Sequence, residues 1–289
     1  MIDVKRNGEW ILVLVTILAA VGWVSSKETI LEMPPLAFMG LRFLSSAFIL
    51  FTVCLSTQQR INMTDVPKAI ITGCLQSTNV ILWILAISIG GQLGEGSFIM
   101  SLSVLMAPIV GWIFFKEKPL VIFWLSLPIA VVGLAFLSLS NGWHLSVNQL
   151  WFLISALAQA IFFVFNSRLV QKIAILPLIC IQMFCTGTAS LIISVFTESW
   201  PSSISFITLI WLIVSIFIAT ILRFALQFVG QKYVPVSNAA IIMILEPVFT
   251  TLAGVIVYLE PMPWTKWIGC FLILISLLSY RGYNFIHKK

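Results

Sequence analysis

Charge is scarce in this chain. Only 9% of its 289 residues are Asp, Glu, Lys or Arg, 60% are hydrophobic, and the mean hydropathy is +1.09. A soluble helical protein must turn polar faces to water, and apolar windows of this length leave none. Histidine is rarer still: His144 falls in a loop and His287 at the C-terminus, so neither is placed as a deep proton relay or metal ligand. HExxH and a Gly-rich phosphate loop are both missing. The five cysteines, Cys54, Cys74, Cys180, Cys185 and Cys270, lie in apolar runs without a CxxC pair and read as small packing residues. Long polar connections are lacking too, which leaves no room for a soluble domain and confines function to the membrane. No catalytic residue, metal or cofactor is expected, and a lipid-acting membrane enzyme would need more acids and histidines near one interface.

What is abundant is apolar length. Punctuation by Pro, Gly and charge predicts ten membrane-crossing helices over residues 10–25, 35–55, 66–89, 96–115, 120–139, 147–167, 178–196, 206–230, 237–259 and 264–280. The first is longer than a signal core and has no A-x-A site, so it is expected to stay as a span. The 22 Phe and 11 Trp suit lipid-facing surfaces and interfacial belts. The formal charge of +6 does not form a nucleic-acid patch, because the cations sit in short turns. Ten spans put Lys5, Arg6, Arg60, Lys68, Lys116, Lys118, Arg168, Lys172, Lys232, Arg281, Lys288 and Lys289 on one side and only Lys27 and Lys266 on the other. By the positive-inside rule both termini are then expected to be cytoplasmic.

The chain also echoes itself. The stretch 237–263, SNAAIIMILEPVFTTLAGVIVYLEPMP, slides onto 95–119, EGSFIMSLSVLMAPIVGWIFFKEKP, laying Glu117 on Glu260, Gly111 on Gly254, Ser97 on Ala240 and Trp124 on Trp267. Two halves, 1–143 and 144–289, each hold five spans. An odd unit repeated in tandem enters the membrane upside down the second time. The expected fold is an all-α integral membrane protein of ten transmembrane helices in two inverted five-helix repeats.

These paired blocks, the Pro34-Pro35 and Gly40-Leu41-Arg42-Phe43 segment and Leu245-Glu246-Pro247-Val248 resemble the EamA family of the drug/metabolite transporter superfamily. The resemblance implies a bacterial inner-membrane carrier that moves a small polar metabolite by alternating access: an amino acid or related compound, exported, in exchange for protons. It further implies that the first four spans of each half surround a central cavity, and that the fifth and tenth support it or form a homodimer. One departure stands out. Where the second block reads Glu246-Pro247, the first reads Ser103-Val104, with Pro108 a turn later, so the halves need not contribute equally.

Ionisable groups deep in a bilayer cost roughly 2.5 kcal/mol or more on insertion scales, so each asks for a reason. Glu246 is the deepest, about 13 Å into its span at 1.5 Å per residue, on a stripe with Asn238 and Thr250. It either handles a proton or substrate, or pairs permanently with an arginine. Arg42 and Arg223, each roughly 10 Å deep, either bind an anionic substrate group, snorkel, or pair with Glu246. Glu95 reads as an acid favoured at a helix N-terminus. Polar stripes recur at helical spacing: Thr72, Gln76, Asn79 and Trp83; Ser155, Gln159, Phe163 and Asn166; Thr16, Trp23 and Lys27; and Thr220, Arg223 and Gln227. Any one of them fits interhelical hydrogen bonding; together they point to a cavity. Nucleotide-type or other anionic metabolites are the alternative substrates, because two buried arginines match phosphates. A channel remains a further alternative, separable by whether flux saturates.

Overall fold

The computed structural model describes residues 4–90, 92–116, 121–138, 146–234, 242–243 and 245–286, and its regular structure there is all helix. Ten helices follow one another: α1 (Val4–Thr29), α2 (Pro35–Ser56), α3 (Val66–Ser88), α4 (Leu93–Phe115), α5 (Val121–Ser138), α6 (Val147–Leu169), α7 (Ile175–Thr197), α8 (from Phe206–Ile216 through Phe217–Leu222 to Arg223–Tyr233), α9 (Leu245–Tyr258) and α10 (Trp264–Ile286). Seven of them are long and apolar enough to cross a bilayer. Side chains such as Phe48, Phe196 and Ile256 stand at least 70% exposed on the outer wall, where lipid is their only apolar solvent. The ten-span reading holds, with several ends extending beyond the expected ones and others coinciding or falling a little short. The first helix, for instance, reaches Thr29 rather than residue 25.

Local chemistry sets the helix starts. Pro35 stands at the first turn of α2, where a missing N–H does no harm. The free N–H groups of Leu36 and Ala37 donate to the Glu198 carboxylate at the end of α7, each at 2.9 Å. Ser146 opens α6 with a capping box to Gln149, and Ser205 opens α8 by accepting from the Thr208 N–H at 3.2 Å. The Ser205 N–H in turn donates to Glu32 in the turn before α2, which holds that carboxyl below the ordinary carboxylate range.

Two helices depart from regular α geometry, and both departures face the centre. α4 breaks at Leu102, a turn and a half before Pro108, whose ring strains the turn preceding it. α8 winds into a π turn over Phe217–Leu222, where the Thr220 hydroxyl donates to the carbonyl five residues back, at Ser215.

Packing follows the inverted repeat. α2 lies on α7, α4 on α9 and α5 on α10; α1 packs against α8 and α9 as α6 packs against α3 and α4. The central pair, α2 and α7, approaches closely at two glycines. A Cβ on Gly40 would lie 2.9 Å from Leu191 Cβ, and one on Gly187 would lie 2.6 Å from the Leu44 backbone nitrogen. α5 and α10, expected to face lipid or a partner subunit, bury one flank against each other, where Ser276 Oγ donates to the Ser126 carbonyl at 2.5 Å.

Candidate functional site: a polar cavity between the two halves

A cavity of about 190 Å³ lies between the halves. α1, α2, α3, α4, α6, α8 and α9 all line it, whereas α5 and α10 contribute nothing to its described wall. The break in α4 shapes that wall, and the π turn of α8 immediately precedes its lining residues Arg223, Phe224 and Gln227. The break turns Ser101 and Ser103 onto it, two residues that no stripe in the sequence flagged. Within the π turn, the Ala219 carbonyl accepts from Arg42.

Arg42 is 4% exposed and bridges α1, α2 and α8. Its Nε donates to Thr220 Oγ1 at 2.5 Å, one terminal nitrogen to Ser26 Oγ at 3.0 Å and the other to the Ala219 carbonyl at 3.2 Å. All three acceptors are neutral. Among the described residues no carboxylate comes within ion-pair distance of it. The rings of Phe38 and Phe43, 5.8 and 5.5 Å away, add weak cation–π support.

Glu246 is held from two sides. Trp23 Nε1 donates to one carboxylate oxygen at 3.2 Å and an Arg223 terminal nitrogen to the other at 3.4 Å. Of the alternatives left open for Glu246, pairing with Arg223 is present here, and the pair keeps about a fifth of its surface open to the cavity. Gln76, Asn79, Trp83, Gln159 and Gln227 share the same wall. Buried polar atoms without a partner gather there as well: Gln76 Oε1, Gln227 Oε1 and Arg223 Nε.

Two expected site residues lie elsewhere. Asn166 turns to α7, its Oδ1 accepting from Gln182 at 2.7 Å, and Gln182 also donates to Thr72 at 3.0 Å. That knot ties α3, α6 and α7 together behind the wall. Thr250 is fully buried and does not reach the cavity. Asn238 falls outside the described residues.

The lining runs to Val170 and the exposed Gln171, in the turn after α6, so the cavity opens on the face where α1 begins. Toward the opposite face it is sealed. Trp23 meets Trp83 edge to face at 5.1 Å and Phe152 at 5.8 Å, making an aromatic floor. Beyond it sits an ionic layer. Glu260 accepts from the Leu93 N–H at 2.9 Å and the Gly94 N–H at 3.5 Å, at the start of α4, and lies 3.2 Å from Lys27 of α1. Its carboxylate fits only because position 254 is glycine: a Cβ there would lie 2.5 Å from Glu260 Oε2. Lys266 of α10 lies 2.6 Å from Glu95, which also accepts from Gln149 of α6. Glu95 is therefore a buried ion-pair partner, beyond the simple N-terminal acid expected. The repeat had marked Glu260 as a landmark, but nothing in the sequence assigned it partners.

Comparison with known proteins agrees with this geometry. The model of the EamA-like transporter family matches the chain twice, over residues 6–139 and 148–280. An uncharacterized transporter of Archaeoglobus fulgidus is 29% identical over 188 residues, which make up 64% of this chain and 59% of that protein, so the match spans about three fifths of the relative's length. One solved crystal structure superposes with a TM-score of 0.68 at 15% identity, covering 98% of each chain, a likeness of fold.

Proposed function

The chain belongs to the EamA-like transporter family, and on that premise we propose that it is a secondary active carrier of a small polar metabolite, an amino acid or a related compound, working by alternating access. The observation that carries this reading is a polar cavity open to one face and closed at the other by an aromatic floor and an ionic layer. A pore would need a continuous path, whereas a carrier exposes its site to one side at a time. The positive-inside rule supports placing the open face in the cytoplasm of a bacterial inner membrane, which suits export.

In the mechanism we favour, a substrate enters between Arg223, Gln76, Asn79, Gln159 and Gln227 and disturbs the hold of Arg223 on Glu246. A proton arriving on Glu246 weakens the same hold, so proton and substrate compete for one arrangement. The test is counterflow by purified protein in lipid vesicles. Saturable, stimulated exchange that responds to a pH gradient, and stops responding in Glu246→Gln, is the expected result. Flux that never saturates would mark a channel and sink the carrier reading. Indifference to both the gradient and the substitution would remove the proton from the mechanism alone. A second reading, a carrier of nucleotide-type or other anionic metabolites, is favoured by the two guanidinium groups at one cavity. Competition between an amino-acid panel and a nucleotide panel separates the two.

A further inference from the structure

The described side chains lining the cavity carry three charges, on Arg42, Arg223 and Glu246. Two cations and one anion leave the site with one positive charge in excess. That excess rests on Arg42, whose three hydrogen bonds all end on neutral oxygens, while Arg223 and Glu246 answer each other. The charges beyond the aromatic floor are engaged there and do not line the cavity: Lys27 pairs with Glu260, Lys266 with Glu95, and Glu28 accepts from the Tyr258 hydroxyl at 2.6 Å. An uncompensated charge surrounded by protein and lipid is costly, so the filled state is most stable when the occupant brings the missing negative charge.

The unused hydrogen-bonding capacity has matching chemistry. The Arg223 contact with Glu246 is a single long one at 3.4 Å, and its Nε is buried without a partner. The Nε edge of a guanidinium is a fork that fits a second acid group side-on. Gln76, 2% exposed with an unpartnered Oε1, and Gln227 with another, remain for the neutral polar part of the same molecule.

We propose that the cavity selects a small organic acid of net charge minus one, its acid group on the Nε edge of Arg223 and its charge balanced by Arg42. This rests on the cavity being the transport site and narrows it: a neutral metabolite or a simple zwitterion leaves the excess charge standing. Net charge of the site then sets net charge of the ligand. Arg42→Gln makes the site neutral and moves its preference to neutral ligands, whereas Glu246→Gln makes it doubly positive and moves its preference to dianions.

The experiment is thermal stabilisation of the purified full chain by ligands that share a carbon skeleton and differ in charge. Glutamine, glutamate and glutarate form one series; asparagine, aspartate and succinate form another. Wild type is expected to bind the monoanions at least tenfold more tightly than the neutral members, with the optimum stepping to neutral in Arg42→Gln and to the dianions in Glu246→Gln. Arg42→Lys, which keeps the charge, is expected to keep the wild-type order and controls for lost packing. If Arg42→Gln does not fold, the Glu246→Gln step carries the test. A wild-type preference for the neutral members, or an order that no charge change moves, would overturn the proposal. Binding is read without flux, so the charge order stands or falls separately from the carrier reading.

Discussion

Trp23 Nε1 donates to Glu246 Oε1 across 3.2 Å, tying the first helix to the ninth although 223 residues separate them. The same indole packs on Trp83 and Phe152, so one side chain both orients the deepest acid and floors the cavity. A hydrogen bond to a charged group contributes about 1.5 kcal/mol or more, close to tenfold in affinity. Trp23→Phe keeps much of the floor and loses the donor. Its transport KM in vesicles is expected to rise roughly tenfold while the amount of folded protein stays near wild type.

The far side offers a prediction about access. Glu260 joins the end of α9 to the start of α4 and to Lys27, so Glu260→Gln weakens all three links at once. A cysteine at Ser97, in the cavity wall, is expected to react with a membrane-impermeant thiol reagent applied to that side several-fold faster in Glu260→Gln than in the Ser97→Cys parent. Rates are taken above the background of the native cysteines. Equal rates would show that the ionic layer does not hold the far side closed.

Gly40 and Gly187 both sit in the contact between α2 and α7, yet their surroundings differ in what can yield. An added methyl at Gly40 meets the Leu191 side chain and Cα, whereas at Gly187 it meets the Leu44 backbone nitrogen at 2.6 Å. Overpacking costs about 1–3 kcal/mol. Gly187→Ala is expected at the upper end of that range and Gly40→Ala at the lower, read as the drop in melting temperature of the purified protein.

Gln159 and Asn166 lie on one face of α6 and were expected to act together, but only Gln159 lines the cavity. Asn166→Ala breaks a knot between helices, where membrane hydrogen bonds average about 0.6 kcal/mol, and is expected to lower stability slightly with KM unchanged. Gln159→Ala is expected to do the reverse, raising KM several-fold at constant melting temperature.

That pair shows what the sequence makes legible and where it stops. Arg42, Arg223 and Glu246 are conspicuous because a charge amid apolar residues is rare and deep, and all three reach the cavity. The stripes on α3 and α6 are visible because side chains repeat with the helical period. A stripe says which residues share a face, not which neighbour that face meets, so Asn166 and Thr250 went astray. Lys27, Glu95, Glu260 and Lys266 sit near helix ends, where charge is ordinary, and their pairing depends on contacts between distant segments. The π turn was hidden for another reason: FIATIL contains no residue that breaks a helix, and the extra residue in its winding is held by Arg42 from another helix.

That extra residue is slack. Arg42, gripping the Ala219 carbonyl and the Thr220 hydroxyl there and Ser26 on α1, clamps that slack to the first two helices immediately ahead of Arg223.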